Sequence, residues 1–252
     1  MGDLFGSGLG APILLALSAL VLAALLILRG RKGPRPKVRP LPAFRGLRDE
    51  VERAAESGKP LHIALGSGGL SGEDAVTSLA GLQMVEALAD AAISYDVPPI
   101  ITVGHPTLLP LAQDALRRAY DRQELTELYN PAQVRFVAPS PVAYAAGAAH
   151  IVAAEGVTAN VTVGDFGSEV ALITDAGARR DLLQFAAAAA PQALGALYPA
   201  TDRLAVGEEL FAIGALLTGK RRYLASLVAQ DILRVILVLI IVVMAVLAFL
   251  GY

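Results

Sequence analysis

Two long apolar stretches lie near the ends of the chain and enclose a region in which apolar and polar residues alternate over short distances. Residues 11–28 form a run of 18 residues without a charge, and residues 235–250 form one of 16 that Gly251 and Tyr252 extend. Each approaches the roughly 20 apolar residues that a helix needs to cross a bilayer. The pattern predicts transmembrane helices at 11–28 and 235–252, with the enclosed region on one side of the membrane.

Inside the enclosed region, short apolar runs alternate with helical patterns. Four runs resemble strands that are buried on both faces of a parallel sheet, at 61–65, 99–103, 134–138 and 160–163. Helices are predicted at 73–92, at 107–120 and, with Ser140 as N-cap and Pro141 as first helical residue, at 142–154. Strands separated by helices imply right-handed βαβ crossovers. We therefore expect an α/β fold with a mostly parallel, Rossmann-like sheet flanked by helices.

The second half of this region has a less regular pattern. Residues 169–176 fit a helix that closes near Gly177, which leaves 181–187 as a fifth strand, although the sequence EVALIT at 169–174 also has strand character. Beyond Pro191 the pattern predicts helices at 191–197 and 202–217. A further helix, from Tyr223 onward, is expected to run into the last apolar segment.

The basic residues predict the orientation in the membrane. Residues 29–48 contain eight Lys or Arg and no acidic residue, and Lys220, Arg221, Arg222 and Arg234 precede the last apolar run. Such an excess marks a cytoplasmic flank. We expect both termini outside and the central domain in the cytoplasm. The predicted plan is a short outer tail 1–10, a transmembrane helix 11–28, a basic Pro-rich linker 29–42, an α/β domain 43–219, a basic amphipathic neck 220–234 and a transmembrane helix 235–252.

Each apolar segment has an alternative interpretation. The first segment has the length of a cleaved signal peptide, but its basic residues follow the apolar core instead of preceding it. The second segment could be a buried core helix, although its density of Ile, Val and Leu is high for a soluble helix. Both features favour membrane anchors.

The charge of the domain limits its partners. Residues 49–219 contain 21 acidic and nine basic residues, a net charge of −12, between two basic necks. An acidic surface repels nucleic acid, so we expect no nucleic-acid partner. The necks either bind anionic lipids, at about 1 kcal/mol for each basic residue, or only set the topology. The chain has no cysteine, which excludes disulfides, thiolate metal sites and cysteine nucleophiles.

The loops that follow the predicted strands hold the candidate binding residues. In a parallel sheet these loops share one edge, where doubly wound folds bind their ligands. The first loop, GSGGLSG at 66–72, combines glycines with a helix N-terminus that favours anions. The candidate ligand-binding residues are Gly66, Ser67, Gly68, Gly69, Ser71, His105, Thr107, Ser140 and Asp165.

The motifs at this edge do not identify a reaction. The dinucleotide fingerprint requires glycine where Ser71 stands, and no Lys followed by Ser or Thr completes a phosphate-binding Walker loop. A tight turn that needs glycine for structural reasons is the alternative. Asp165-Phe166-Gly167 matches the kinase triplet without the rest of the kinase signature. No catalytic residues or metal ligands are predicted, and the sequence leaves the cofactor open.

Other polar residues also have structural alternatives. His105 precedes a proline in a turn, Asp165 could bond its own backbone, and Glu169 could complement a helix dipole. His62 and His150 lie among apolar residues and are expected to be packed. Gly207, Ala212, Gly214 and Ala215 would allow close helix approach, to a neighbouring helix or subunit or to the domain's own sheet. Ala19 and Ala23 form a weak small-xxx-small pair in the first apolar segment.

Several runs of the sequence resemble a known family. The segments SLAGLQMVEALAD, PTLLPLAQDALRRAY, VRFVAPSPVAYAAGA and GEELFAIGALLTG, with the terminal anchor, are similar to an uncharacterised bacterial family of membrane proteins classed as a domain of unknown function. The resemblance covers most of residues 40–250. It implies an α/β domain tied to the membrane, and it implies no catalytic residues. From the basic flanks we expect that membrane to be the bacterial inner membrane.

Two functions fit these observations. The first is a structural or interaction protein, anchored at both ends, that forms a homo-oligomer or organises a membrane complex. The second is a membrane-tethered binding domain or enzyme for an anionic small molecule or nucleotide at the loop edge. Transport is a third interpretation, which two spans without an intramembrane charge support only in a large assembly.

Overall fold

The computed structural model describes residues 42–44, 46–219 and 221–249, together with the isolated positions 19 and 23. The predicted outer tail, the first predicted transmembrane helix and most of the Pro-rich linker lie outside these residues. Residues 40–218 form one compact unit, and the C-terminal helix belongs to a second.

The described residues form six strands and eight α-helices. The strands are β1 His62–Gly66, β2 Ile100–Val103, β3 Val134–Phe136, β4 Ala159–Asp165, β5 Leu183–Ala188 and β6 Arg203–Val206. The helices are α1 Leu47–Ser57, α2 Asp74–Ser94, α3 Leu108–Arg122, α4 Pro141–Ala154, α5 Val170–Ala178, α6 Pro191–Leu197, α7 Glu209–Thr218 and α8 Arg221–Phe249. Short 3-10 turns occupy Pro42–Phe44, Thr126–Leu128 and Pro131–Gln133.

All six strands are parallel and follow the order β3-β2-β1-β4-β5-β6. This is the strand order of the doubly wound nucleotide-binding folds. The expected α/β fold with a parallel, Rossmann-like sheet is therefore confirmed. Residues 169–190, for which the sequence left two possibilities, form the predicted helix and strand as α5 and β5.

Helices cover both faces of the sheet. One face carries α1, α2, α3 and α7, through the buried residues Leu47, Val85, Leu116 and Ile213. The core on this face includes the strand residues Ile63, Val161 and Phe185. The other face carries α4, α5 and α6 through the buried residues Tyr144, Ile173 and Leu197. Because strand side chains alternate between the two faces, each buried strand supplies both cores.

The sixth strand corrects the predicted helix at 202–217. The chain forms β6 over Arg203–Val206, turns at Gly207 with φ +60°, and begins α7 only at Glu209. Val206 donates its amide N–H to the Glu209 carboxylate over 3.4 Å. The sequence did not predict β6 because a strand of four residues is too short to show an alternating pattern. Its apolar residues also continue the helical spacing of α7.

The C-terminal helix α8 spans 29 residues. Its described large apolar side chains from Val235 to Phe249 are all exposed, by 41 to 91%. Among the described residues, one helix, α2, combines the length and the hydropathy of a membrane span, at a mean hydropathy of 1.3, but 56% of that stretch is buried inside the domain. The burial of α2 is that of a core helix packed on its own sheet.

Candidate functional site at the carboxyl edge of the sheet

The carboxyl edge of the sheet is the edge at which the six parallel strands end. The strand order reverses at β1, whose neighbours β2 and β4 lead in opposite directions along the sheet. In open α/β sheets, ligands bind in the crevice at this reversal. The loops 66–73 and 165–169 flank that crevice, and the loop 104–107 lies beside it.

The first glycine loop packs tightly against the end of β4. Gly66 has φ +83°, and a Cβ atom added to it would lie 1.8 Å from the Asp165 carbonyl oxygen. Ser67 donates its amide N–H to that carbonyl over 3.1 Å, and Gly104 donates its own to the Gly66 carbonyl over 2.8 Å. Glycine is therefore required here for the contact between loops, which is the structural alternative given by the sequence.

Two polar side chains lie on either side of the diglycine Gly68-Gly69. A Cβ on Gly68 would lie 2.9 Å from a carboxylate oxygen of Asp165, and one on Gly69 would lie 2.9–3.0 Å from the imidazole ring of His105. The structure thus brings together the candidates Gly66, Gly68 and Gly69 with His105 and Asp165, although they are far apart in sequence.

The imidazole of His105 is held by Thr107. The Thr107 hydroxyl lies 2.7 Å from Nδ1, and the Thr107 amide N–H donates to the same nitrogen over 3.3 Å. Because Nδ1 accepts these bonds, the proton of the neutral ring is on Nε2. The ring presents an N–H donor on the side away from Thr107.

Several polar groups near the crevice make no hydrogen bond to a described residue. These groups are the amide N–H groups of Gly68 and Gly69 and the Ser78 hydroxyl, which is fully buried. Ser78 lies one turn before Gly81 on the same face of α2, and a Cβ on Gly81 would touch the Val163 carbonyl at 2.8 Å. Ser78 therefore lies on the side of α2 that faces the end of β4.

The charge around the crevice is negative. Burial raises the pKa of Asp165, and the neighbouring carboxylates of Asp74 and Glu169 raise it further. Glu169 also accepts the Gly167 amide N–H over 2.8 Å. These carboxylates oppose an anion beside Asp165 and favour a ligand group that donates hydrogen bonds to it. Within the described residues, no three His, Asp or Glu side chains are placed to hold a metal ion.

The remaining candidates lie at the rim. Ser71, Thr107 and Ser140 are exposed. Ser140 is the N-cap residue of α4, as expected, but its side chain makes no capping hydrogen bond. His150 is exposed on α4, which corrects the expectation that it is packed, whereas His62 is fully buried as expected.

The structure also adds a buried polar row that the sequence reasoning missed. Tyr144 accepts the Gly66 amide N–H over 3.2 Å and lies 3.1 Å from the Thr102 hydroxyl. His62 lies 3.0 Å from that hydroxyl and 2.7 Å from the amide oxygen of Asn160. Asn160 donates to Gln184 over 3.2 Å. The available signal was a polar residue on each of four neighbouring strands. His62, Asn160 and Gln184 pair directly across the sheet, and Thr102 lies two residues after the partner of His62 on β2.

The row ends in backbone carbonyls. Gln184 donates to the carbonyls of Thr174 and Ala200 over 2.9 and 2.8 Å. Since Asn160 accepts with its amide oxygen, His62 donates from Nδ1 and accepts the Thr102 hydroxyl at Nε2. Burial lowers the pKa of His62 to about 4, an effect that the Asn160 hydrogen bond partly opposes. The histidine is therefore neutral and structural at neutral pH.

Gly214 of α7 packs inside the domain. A Cβ on Gly214 would lie 2.7 Å from the Gln83 side chain on α2, and Leu210 and Ile213 are buried in the core. Gly207 lies in the turn before the helix and takes no part in helix packing. Gly214 therefore makes a close approach within the domain, against α2.

A separate cavity of about 330 Å³ lies at the opposite, amino edge. Its wall includes Pro98, Pro99, Gln133 and Arg135. Arg135 forms a bidentate ion pair with the Glu155 carboxylate. This pair neutralises the charge of the one guanidinium in that wall. The cavity is distant from the crevice at the carboxyl ends of the strands.

Comparison with known proteins identifies a family. A family profile described as a domain of unknown function, DUF6754, matches residues 4–252. No curated protein and no solved structure matches the chain. The resemblance to a family of unknown function is confirmed at this level. Because the match covers almost the whole length, the chain belongs to the DUF6754 family.

Proposed function

We propose that the protein is a membrane-anchored α/β domain that acts as a structural or interaction protein, forming homo-oligomers or organising a membrane complex. It would reside in a bacterial inner membrane with both termini outside and the central domain in the cytoplasm. The observation that carries this proposal is the exposed apolar surface of α8.

The apolar surface of α8 requires a covering. Eleven described large side chains between Val235 and Phe249 are exposed. Full burial of one such side chain is worth about 1.5–3 kcal/mol, so a helix of this kind is stable when lipid or other apolar helices surround it. The basic residues that precede it in the sequence favour a cytoplasmic start.

Anchoring at both ends favours lateral assembly. Two anchors hold the domain beside the bilayer, which raises the local concentration of copies and partners in the plane of the membrane. The basic necks would add contacts with anionic lipid headgroups. The acidic domain opposes binding to nucleic acid.

The mass of the native particle tests this proposal. The full chain, extracted in mild detergent or lipid nanodiscs, should give a multiple of the 26.1 kDa chain mass in native mass spectrometry, or that mass with a stoichiometric partner. A 26.1 kDa particle without partner, at every concentration and in both environments, would contradict it.

A second candidate function is binding of a nucleotide or a related anionic small molecule at the crevice. The favouring observation is the set of groups without described partners: the amides of Gly68 and Gly69 and the buried Ser78 hydroxyl. The amides suit a phosphate oxygen, and Asp165 suits a hydroxyl donor such as a ribose. The surrounding carboxylates limit the phosphate to the glycine side of the crevice.

A thermal-shift series on the full chain tests this second function. ATP, NAD and pyrophosphate are the probes, and binding should raise the melting temperature. Ser71→Asp should abolish the shift because it adds a negative charge to the glycine loop. Ser94→Asp, at the other end of α2, is the matched control and should leave it unchanged. No shift with any probe would rule out this candidate.

A further inference from the structure

The exposed apolar side chains of the domain are concentrated at the carboxyl edge. Among the described residues of 42–218, ten large hydrophobic residues are exposed. Seven of them end a strand or lie in the first turns of the helix that follows one: Val76, Leu79, Leu111, Phe136, Val142, Leu172 and Val206. We call these seven residues and the loops between them the carboxyl-edge surface. Single exposed hydrophobic residues are ordinary, whereas a concentration at one edge indicates an interaction site.

The charge of this surface has one sign. Six carboxylates lie in the same loops and first turns, those of Glu73, Asp74, Asp165, Glu169, Glu208 and Glu209. The nine Lys and Arg of residues 49–219 all lie elsewhere: Arg53, Lys59, Arg117, Arg118, Arg122, Arg135, Arg179, Arg180 and Arg203. They occupy α1 and the loop after it, the later turns of α3, β3, the residues that end or follow α5, and the start of β6. Among the described residues of 49–219, the carboxyl-edge surface therefore combines apolar side chains with acidic groups and lacks Lys and Arg.

The apolar side chains and carboxylates of this surface together determine which kind of partner can bind there. An anionic lipid leaflet and nucleic acid are repelled by the carboxylates, and the same edge of a second copy would bring like charges together. A segment that carries Lys or Arg beside apolar side chains complements both features.

We propose that the carboxyl-edge surface docks a cationic amphipathic segment of a separate protein. The inference deepens the proposed function, on which it rests, because it names the chemistry of the partner. Apolar contacts with residues such as Val142 and Leu172 would supply most of the affinity. The carboxylates would select the partner and orient it.

Site-directed photocrosslinking of the full chain in its native membrane tests this inference. Benzoylphenylalanine replaces Val142 or Leu172 on the carboxyl-edge surface, and Leu128 or Tyr198, which are exposed elsewhere, in matched controls. Mass spectrometry then identifies the crosslinked peptide. We expect the two surface positions to capture a peptide of another protein that is rich in Lys or Arg and apolar residues, and the controls not to capture it.

Charge reversal provides the second readout. Glu73→Lys combined with Asp74→Lys should lower the crosslink yield at Val142 at least about tenfold, whereas Glu127→Lys on the Thr126–Leu128 turn should leave it unchanged. Raising the ionic strength from about 0.1 M to about 1 M should also lower the yield, because the Debye length falls from about 10 to about 3 Å.

Each other outcome overturns the inference. Crosslinks to lipid, to a second copy of the chain or to an acidic peptide would identify a different occupant, and no crosslink at either surface position would mean that the edge has none. If the native particle nevertheless has a mass several times that of the chain, the proposed function stands while this inference fails.

Discussion

The buried polar row shows how single residues hold the centre of the sheet together. His62, Asn160 and Gln184 are each at most 1% exposed, and each of their side chains makes hydrogen bonds. An unpaired polar group in such a position costs about 1–3 kcal/mol, so the row is stable only when every member is satisfied. The direction of the bonds requires a neutral imidazole at its centre, because Nε2 must accept.

Protonation of His62 should therefore destabilise the fold. Burial lowers its pKa to about 4, against 6.5 for the free side chain. The contribution of His62 to the free energy of unfolding is fully present above pH 6.5. It is lost as the pH falls from 6.5 toward 4, because in this range the unfolded chain binds a proton at His62 and the folded chain does not. We expect the wild-type chain to lose about 3 kcal/mol more unfolding free energy than His62→Gln between these two pH values. Chemical unfolding followed by circular dichroism measures this difference, and identical pH profiles would contradict it.

The Tyr144 hydroxyl should stabilise the glycine loop. Tyr144→Phe leaves the buried Gly66 amide without its acceptor and removes a hydrogen bond to the Thr102 carbonyl. We expect a loss of about 1–3 kcal/mol and faster hydrogen exchange at Gly66. Tyr198→Phe is the matched control, since Tyr198 is 81% exposed, and its effect should stay within about 0.5 kcal/mol. Equal effects of the two substitutions would show that the Gly66 contact is unimportant.

Among the elements, α2 packs closely against the sheet. Gly81 allows it, since a Cβ there would lie 2.8 Å from the Val163 carbonyl oxygen and 3.0 Å from Leu65. The strand β4 lies at the middle of the sheet and cannot move away without breaking its pairs with β1 and β5. The position of α2, and with it the crevice, therefore depends on one glycine.

Two glycine substitutions in helices separate close packing from helix propensity. Gly81→Ala should destabilise the domain by about 1–3 kcal/mol because α2 must shift away from β4. Gly195→Ala in α6 meets nothing within 4 Å, and it should stabilise the helix by about 0.5–1 kcal/mol. Thermal unfolding of both variants and of the wild-type chain measures these two changes in stability. A neutral Gly81→Ala would mean that α2 is not held against the strand by this contact.

Most elements of the fold could be predicted from the sequence because their apolar patterns are long or strongly buried. The first five strands and the helices after them match the predicted positions to within a few residues. The strand β6 was missed because its four residues lie at the edge of the sheet and their spacing continues that of α7. A local sequence pattern does not show that residues 203–206, rather than continuing the helix after them, pair with β5.

The candidate site was only partly predictable. Parallel strands alone bring His105 and Asp165 to the same edge as the glycine loop. Tyr144 was not found because it lies in an alanine-rich helix, where an aromatic residue indicates only packing. Its role depends on a hydrogen bond with Gly66, which is 78 residues away in the sequence. Only the tertiary structure brings these two residues together.

For the whole molecule, charge and apolar surface favour the same arrangement. The necks are basic, the domain has a net charge of −12, and α8 exposes apolar side chains along its second half. An acidic domain beside an anionic leaflet is repelled from it, while the necks are attracted. We therefore expect the domain to be held off the lipid surface in the cytoplasm.

Cysteine labelling tests this topology directly, because the chain contains no cysteine and each introduced thiol is unique. Ser7→Cys lies in the predicted outer tail, and Glu127→Cys lies in an exposed turn of the domain. A membrane-impermeant maleimide added to intact spheroplasts should label Ser7→Cys. It should label Glu127→Cys only after lysis, because the basic flanks hold the domain inside. Labelling of Glu127→Cys before lysis would reverse the orientation, and labelling of neither variant after lysis would mean that the reagent cannot reach these positions in the folded protein.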